Sequence, residues 1–147
     1  MKQNPNVDIL NEYMANLKVL NNNLYNMHFN IVGESFFGIH RKLQEYYEKV
    51  ALMYDAAAER IKMLGGMPIT SLKEMEEMST MKSMKSMNFT GKQVLEVLDN
   101  DFTFLRDYTK DLIEYYDKEK DYYTVSMLEN NLSFIEKELW MIKTSLI

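Results

Sequence analysis

The strongest constraint on the fold is the placement of the helix breakers. The 147 residues contain two prolines and five glycines, and no proline occurs between Pro5 and Pro68 or after Pro68. Within these long stretches apolar residues recur at three- and four-residue steps, which is the period of an amphipathic helix. No stretch alternates apolar and polar residues, and no Asn-Gly or Asp-Gly hairpin turn is present. The chain is therefore predicted to be all-α.

These apolar stripes predict four long helices. The stripe of the first consists of Leu10, Met14, Leu17, Leu20, Leu24, Met27 and Ile31. The second helix follows Gly33, with Ser35 as its N-cap. It continues for about 29 residues, or about 43 Å, to the helix-stop signal Gly65-Gly66-Met67-Pro68.

Two capping boxes and a polar link divide the rest of the chain. Ser71-Leu72-Lys73-Glu74 predicts a short helix to about Met78, and Thr90-Gly91-Lys92-Gln93 predicts the start of the third long helix. After the polar link Lys118-Glu119-Lys120, Asp121 is expected to cap the fourth. The connection between the second and third long helices is long enough to travel the length of a bundle. We therefore expect a single domain over residues 1–147, a four-helix bundle with a short helix in its one crossover.

Composition excludes several classes of protein. Without cysteine the chain cannot form a disulfide, a thiolate zinc site, an iron–sulfur cluster or a cysteine nucleophile. The net charge is −5 and the basic residues are dispersed, unlike the basic stripe of a dedicated nucleic-acid-binding protein. The N-terminus lacks the apolar region of a signal peptide, and the longest apolar run is far below the roughly 20 residues of a membrane span. A cytoplasmic protein without a membrane segment is expected.

Two groups of oxidisable side chains leave alternatives open. Methionines recur through the predicted crossover, at Met75, Met78, Met81, Met84 and Met87. They could bind a soft metal or take up oxidants, but packing of the crossover onto the bundle is the favoured interpretation. Tyrosines of the second helix, Tyr46, Tyr47 and Tyr54, suit either burial or a radical-trapping role, and burial is again favoured.

Four side chains offer a metal site. His28 and His40 each stand about six residues from the centre of the turn between the first two helices, so antiparallel packing places them at one level. Asp55 and Glu59, spaced i, i+4, share a face of the second helix. Imidazole and carboxylate ligands together suit Fe(II), Mn(II) or Zn(II). Spacing alone leaves open that the histidines are ordinary partly buried residues and that the acidic pair is a solvated face.

Distance divides these four residues between two chains. His40 and Asp55 are fifteen residues apart on one predicted helix, which is about 22 Å. They cannot bind the same ion within one chain. Two copies of the second helix packed antiparallel about a two-fold axis would bring them together and create two equivalent sites.

Three motifs point to a known family. They are the segment from Tyr25 to His40, the segment Asp55-Ala56-Ala57-Ala58-Glu59-Arg60-Ile61 with Leu64-Gly65-Gly66-Met67-Pro68, and the pair Trp140-Met141. Together they resemble the signatures of the Dps family, the mini-ferritins (DNA-binding protein from starved cells). The resemblance covers nearly the whole chain. It implies a ferritin-like four-helix bundle that assembles as a hollow homo-dodecamer of tetrahedral symmetry.

The resemblance also implies a ferroxidase site at the two-fold contacts. The implied metal ligands and catalytic residues are His28 and His40 of one subunit and Asp55 and Glu59 of its neighbour. Iron is the implied metal, with two ions per site, and zinc or manganese are possible substitutes. The implied activity is oxidation of Fe(II), by hydrogen peroxide in preference to dioxygen, followed by storage of ferric mineral in the cavity.

Two departures from the family pattern bear on this function. Phe29 stands where the family commonly has Trp, and Gln44 stands where many members carry an acidic ligand, with Glu45 and Glu48 as nearby alternatives. They motivate a second hypothesis, a structural or DNA-protecting shell with a degraded metal site. Direct DNA binding is not expected, because the first ten residues hold one lysine and twelve chains would carry about −60 charges.

Overall fold

The computed structural model describes residues 2–147, which form five helices and no named strand. The helices are α1 (Pro5–Asn30), α2 (Phe36–Met63), α3 (Leu72–Met78), α4 (Gly91–Lys118) and α5 (Tyr122–Ser145). The all-α prediction is confirmed, including the short helix between the second and third long ones. Over the same residues, no helix combines the length and apolar character that crossing a membrane requires.

The predicted caps explain where most of these helices begin. Thr90 and Gln93 form a complete capping box at the start of α4, with reciprocal bonds of 2.9 and 3.1 Å. Ser71 and Asp121 each accept a bond from the backbone amide three residues later. Ser35 stands at the N-cap position of α2, but its side chain makes no capping hydrogen bond. Its backbone, at φ −85° and ψ 5°, is outside the extended region in which an N-cap side chain usually reaches the first free amides.

α1, α2 and α3 belong to a compact unit that ends at Phe89. α1 and α2 run antiparallel, because the Asn21 side chain donates to the carbonyl of Tyr47 at 2.8 Å and, further from the turn, Lys18 lies over the ring of Tyr54. The turn between the helices needs Gly33, whose φ of +105° is strained for any residue with a side chain. This pairing fixes which residues of α1 face which residues of α2.

The helix-stop signal after α2 acts through two different glycines. Gly65 has φ +80°, a left-handed conformation that ends the helix. Gly66 is a close-packing position, since a Cβ there would lie 2.6 Å from a methyl carbon of Val7. The turn after α2 is therefore held directly against the first turn of α1.

A ladder of asparagines on α1 holds the crossover in place. Asn16 Oδ1 accepts bonds from the amide of Met81 at 2.8 Å and from residues 79 and 80. Asn23 binds both the amide of Met84, at 2.8 Å, and the carbonyl of Lys82, at 3.0 Å. Asn16 and Asn23 are two helical turns apart, about 10 Å, which matches the length of three extended residues. The ladder supports the packing interpretation of the methionine run, because the methionine backbone is bound along α1.

The second unit, Thr90–Ile147, consists of α4 and α5. The link between them is short, with Lys120 at φ +58°, so the two helices fold back on each other. Lys143 near the end of α5 donates to Asp99 near the start of α4 at 2.7 Å, which confirms the antiparallel arrangement. The buried positions of α4 recur at three- and four-residue steps and are Val94, Leu98, Phe102, Leu105, Thr109, Leu112 and Tyr116.

We predict that Asn16→Ala destabilises the chain by about 3 kcal/mol, since it leaves several partly or fully buried donors of the crossover without an acceptor. The measurement is the urea unfolding free energy at matched protein concentration. The control is Asn22→Ala, an exposed asparagine of the same helix, which is expected to change stability by less than about 0.5 kcal/mol. Equal effects of the two substitutions would show that the ladder does not stabilise the fold.

Candidate metal centre

The two histidines of the chain meet face to face beside the α1–α2 turn. Their rings stack with centroids 3.7 Å apart and an interplanar angle of 13°. His28 is 5% exposed and His40 is half-buried. The structure therefore places these two predicted ligands at one level, as antiparallel packing requires.

Each histidine ring is oriented by the backbone of the other. His28 Nδ1 lies 2.7 Å from the carbonyl oxygen of His40, and His40 Nδ1 lies 2.7 Å from the carbonyl oxygen of His28. A carbonyl oxygen can only accept, so each Nδ1 must carry the proton. Both Nε2 atoms then keep a lone pair, which is the form of imidazole that binds a metal.

The end of α1 makes this reciprocal arrangement available. His28 lies in the last turn, where helix carbonyls lack intrahelical donors. The amide four residues later, that of Val32, donates instead to the carbonyl of Phe89 at 2.9 Å, and the Phe89 amide donates back to Asn30. The His28 carbonyl is thus left to accept a hydrogen bond from His40. The crossover makes this possible, because the Phe89 carbonyl takes the amide of Val32.

Three aromatic rings surround the histidine pair. Phe36 stacks on His40 with centroids 4.7 Å apart, and Phe29 meets His28 edge-on at 5.4 Å. Tyr47 also meets His28 edge-on, at 5.1 Å and 85°. These rings restrict the rotation of both imidazoles.

Asp55 and Glu59 form a second pair on the exposed face of α2. A hydrogen bond with Asp55, followed by repulsion between the two carboxylates, raises the pKa of Glu59 above its usual range. A cation bound between the carboxylate oxygens of Asp55 and Glu59 would remove this repulsion. The local chemistry is therefore that of an acidic pair suited to a metal ion.

Within one chain the two pairs stay apart. His40 and Asp55 are both in α2, about 22 Å from each other along the helix. Over residues 2–147, no three His, Cys, Asp or Glu side chains are grouped closely enough to hold a metal ion. Each chain thus carries two separate pairs, the imidazoles of His28 and His40 and the carboxylates of Asp55 and Glu59.

The other acidic candidates of α2 have partners along the helix surface. Glu45 pairs with Lys42 at 3.0 Å, and Glu48 accepts a bond from the side-chain amide of Gln44 at 3.0 Å. The amide group of Gln44 therefore faces away along α2 toward the next turn. No interaction of these three side chains with either histidine is seen among the hydrogen bonds that the described residues make.

Sequence reasoning missed the residues that orient the histidines. The backbone carbonyls cannot be identified from residue types. Tyr47 was singled out by residue type but not as a neighbour of His28, and Tyr25 had only a weak signal, since it precedes His28 by three residues on one helix face. Their contact with each other and with His28 depends on the register between α1 and α2, which only the packed pair of helices defines.

The chain is similar to known proteins over nearly its whole length. The ferritin-like domain family matches residues 7–146. The DNA protection during starvation protein of Helicobacter pylori is 32% identical over 139 residues, which cover 95% of this chain and 96% of that protein. The chain belongs to the Dps family of ferritin-like proteins. The family predicted from the sequence motifs is confirmed.

Solved Dps structures share the whole fold. The Dps protein of Vibrio cholerae, described as a member of a broad superfamily of ferritin-like diiron-carboxylate proteins, has a TM-score of 0.92 at 27% identity and covers 97% of this chain and 89% of its own. Dps of Listeria innocua, solved after soaking with zinc, has a TM-score of 0.91 at 33% identity, with coverage of 96% and 95%. The predicted ferritin-like bundle is therefore confirmed for this Dps chain.

We predict that Asp55→Asn lowers the pKa of Glu59, because the substitution removes the neighbouring negative charge. The measurement is a carboxyl carbon NMR titration of the metal-free protein. Asp107→Asn, which changes an exposed carboxylate of α4, serves as the control and should leave the pKa of Glu59 unchanged. An unaltered Glu59 titration in Asp55→Asn would contradict the pairing of the two carboxyls.

Proposed function

We propose that this Dps chain is a ferroxidase and iron-storage protein whose metal site is shared between two subunits. The observation that carries the proposal is the reciprocal bonding of His28 and His40, which leaves both Nε2 atoms as metal ligands. Membership of the Dps family supports iron as the substrate, and the zinc-soaked relative supports metal binding by this fold. Zinc or manganese would substitute for iron at the same donor atoms.

The exposed face of α2 supports the two-subunit site. One helical stripe of α2 is exposed along the length of the helix, and it consists of Phe37, Arg41, Gln44, Glu48, Leu52, Asp55, Glu59 and Met63. Antiparallel pairing that brings His40 opposite Asp55 and Glu59 of a second copy puts the two-fold axis near residues 48–50. Leu52, 66% exposed in the single chain, would then lie about one turn from the axis and pack near its own copy. The large apolar side chains of the stripe would lose their exposure in such a dimer.

The reaction follows from the donor set. Two Fe(II) ions each give one electron to one hydrogen peroxide, and with two protons it becomes two waters. The imidazoles bind Fe(II) through Nε2, while the carboxylates of Asp55 and Glu59 stabilise the higher charge of Fe(III) after the transfer. The rings of Phe29 and Phe36 hold the two imidazoles in place. Ferric product would accumulate in the cavity of a homo-dodecamer, the assembly expected of this family.

A second candidate function rests on one observation. Near His40 the chain has the neutral amide of Gln44 in place of a carboxylate, and this amide donates a hydrogen bond to Glu48. The site for a second iron is therefore weaker. A shell without catalysis would follow if neither iron bound. Anomalous scattering from iron-soaked crystals distinguishes the two functions, because density between His28 and Glu59 of a neighbouring copy supports the ferroxidase.

We predict that the initial rate of Fe(II) oxidation by peroxide is at least about 10-fold lower in the double variant His28→Ala, His40→Ala, since both imidazole ligands are removed. Stopped-flow absorbance of the ferric product measures the rate. Glu45→Gln, which removes a carboxylate of the same helix that pairs with Lys42, should retain the wild-type rate. Equal rates in the double variant and the wild type would end the catalytic proposal.

We predict that Leu52→Asp weakens zinc binding at least about 10-fold, although Leu52 is not a proposed ligand. Two aspartates near the two-fold axis would repel each other and separate the imidazole pair of one copy from the carboxylate pair of the other. Calorimetry measures the affinity, and sedimentation measures the loss of dimers. Tyr122→Asp changes an equally exposed residue of α5, also 66% exposed, and should keep the wild-type zinc affinity. Unchanged affinity in Leu52→Asp would contradict the shared site.

A further inference from the structure

A stacked tyrosine pair extends the histidine pair toward the surface. The rings of Tyr25 and Tyr47 stack with centroids 4.1 Å apart and an interplanar angle of 24°. Tyr47 is half-buried and meets His28 edge-on, whereas Tyr25 is 36% exposed. A continuous series of ring contacts therefore joins His40, His28, Tyr47 and Tyr25 to solvent.

Tyr47 is the oxidisable member of the rings that contact the histidines. Phe29 and Phe36, the other two, have no hydroxyl and give up an electron far less readily than a phenol. Partial burial, followed by the neighbouring hydroxyl of Tyr25 and the charge of Glu48, raises the pKa of Tyr47 above its usual value. A tyrosine side chain carries its phenolic proton at neutral pH, so oxidation of Tyr47 must release that proton together with the electron.

The electron count of the proposed reaction leaves a place for such a donor. Peroxide needs two electrons to become water, and one Fe(II) supplies one. A site that holds a single iron, as the neutral side chain of Gln44 favours, lacks the second electron and would otherwise release hydroxyl radical. A donor in contact with a ligand of that iron prevents this release.

We propose that Tyr47 supplies the second electron when one iron is bound, and that the resulting radical is shared with Tyr25. The inference rests on the proposed ferroxidase function. One Fe(II), one tyrosine, one hydrogen peroxide and one proton give Fe(III), one tyrosyl radical and two waters. The O–O bond of peroxide and the O–H bond of Tyr47 break, and the phenolic proton goes to one of the waters. The electron of Tyr47 reaches the iron through His28, and the exposed Tyr25 is where external reductants restore the missing electron.

The experiment is freeze-quench electron paramagnetic resonance of the full-length protein with less than one Fe(II) per site and excess peroxide. Wild type is expected to show a tyrosyl radical, and Tyr47→Phe should lower its yield at least about 10-fold. Spin trapping should show several-fold more hydroxyl radical from Tyr47→Phe than from wild type. Zinc affinity equal to that of wild type verifies that the variant keeps the metal site.

The matched control is Tyr115→Phe. Tyr115 is also half-buried and contacts another tyrosine, Tyr116, with centroids 5.0 Å apart, but both lie in α4, in the unit whose sequence contains no histidine. This variant should retain the wild-type radical yield and the wild-type level of trapped hydroxyl radical.

The outcomes separate this inference from the function it rests on. Iron oxidation by wild type without a tyrosyl radical would overturn the role of Tyr47 and leave the ferroxidase intact. A radical that persists in Tyr47→Phe would overturn the assignment to this residue. No iron oxidation by wild type would overturn both.

Discussion

The reciprocal hydrogen bonds between His28 and His40 are the constraint on which the rest of the site depends. Each ring uses Nδ1 to reach the backbone of the other, so neither imidazole can rotate without breaking a bond of 2.7 Å. This arrangement requires α1 to end next to the start of α2 and requires the His28 carbonyl to be free of a helical donor. Helix length, the Gly33 turn and the bond from Val32 to Phe89 all meet that requirement.

The crossover contributes to the same site from a distance. Asn16 and Asn23 bind its backbone along α1, and the segment then reaches the end of that helix, where Phe89 takes the Val32 amide. Side-chain amides suit this task because one asparagine can both donate to and accept from an extended chain. Asparagines buried among the apolar side chains of α1 would be costly without these partners. The polar composition of α1 is thus explained by a segment about 60 residues later in the chain.

Much of the fold could be predicted because its signals are local. The Thr90 capping box, the Gly65 stop and the apolar stripes act within a few residues of one another, so the helix boundaries follow from the sequence nearby. Ser35 shows the limit of such signals: a favourable residue type stands at the N-cap position, but its backbone is not extended and its side chain makes no capping hydrogen bond. The asparagine ladder was not predicted, because side-chain to backbone bonds across the chain have no periodic signature.

The sequence by itself determined which residues carry the chemistry and that one chain is insufficient for it. His28, His40, Asp55 and Glu59 are identified by type and motif, and the rise of a helix alone separates His40 from Asp55 by about 22 Å. Only the tertiary structure decided the state of the histidines: which nitrogen of each ring is protonated, and that Tyr47 touches His28. The physical reason is that residue identity, helical rise and the spacing of Asp55 and Glu59 are local properties, whereas a tautomer and a ring contact depend on the register between packed helices.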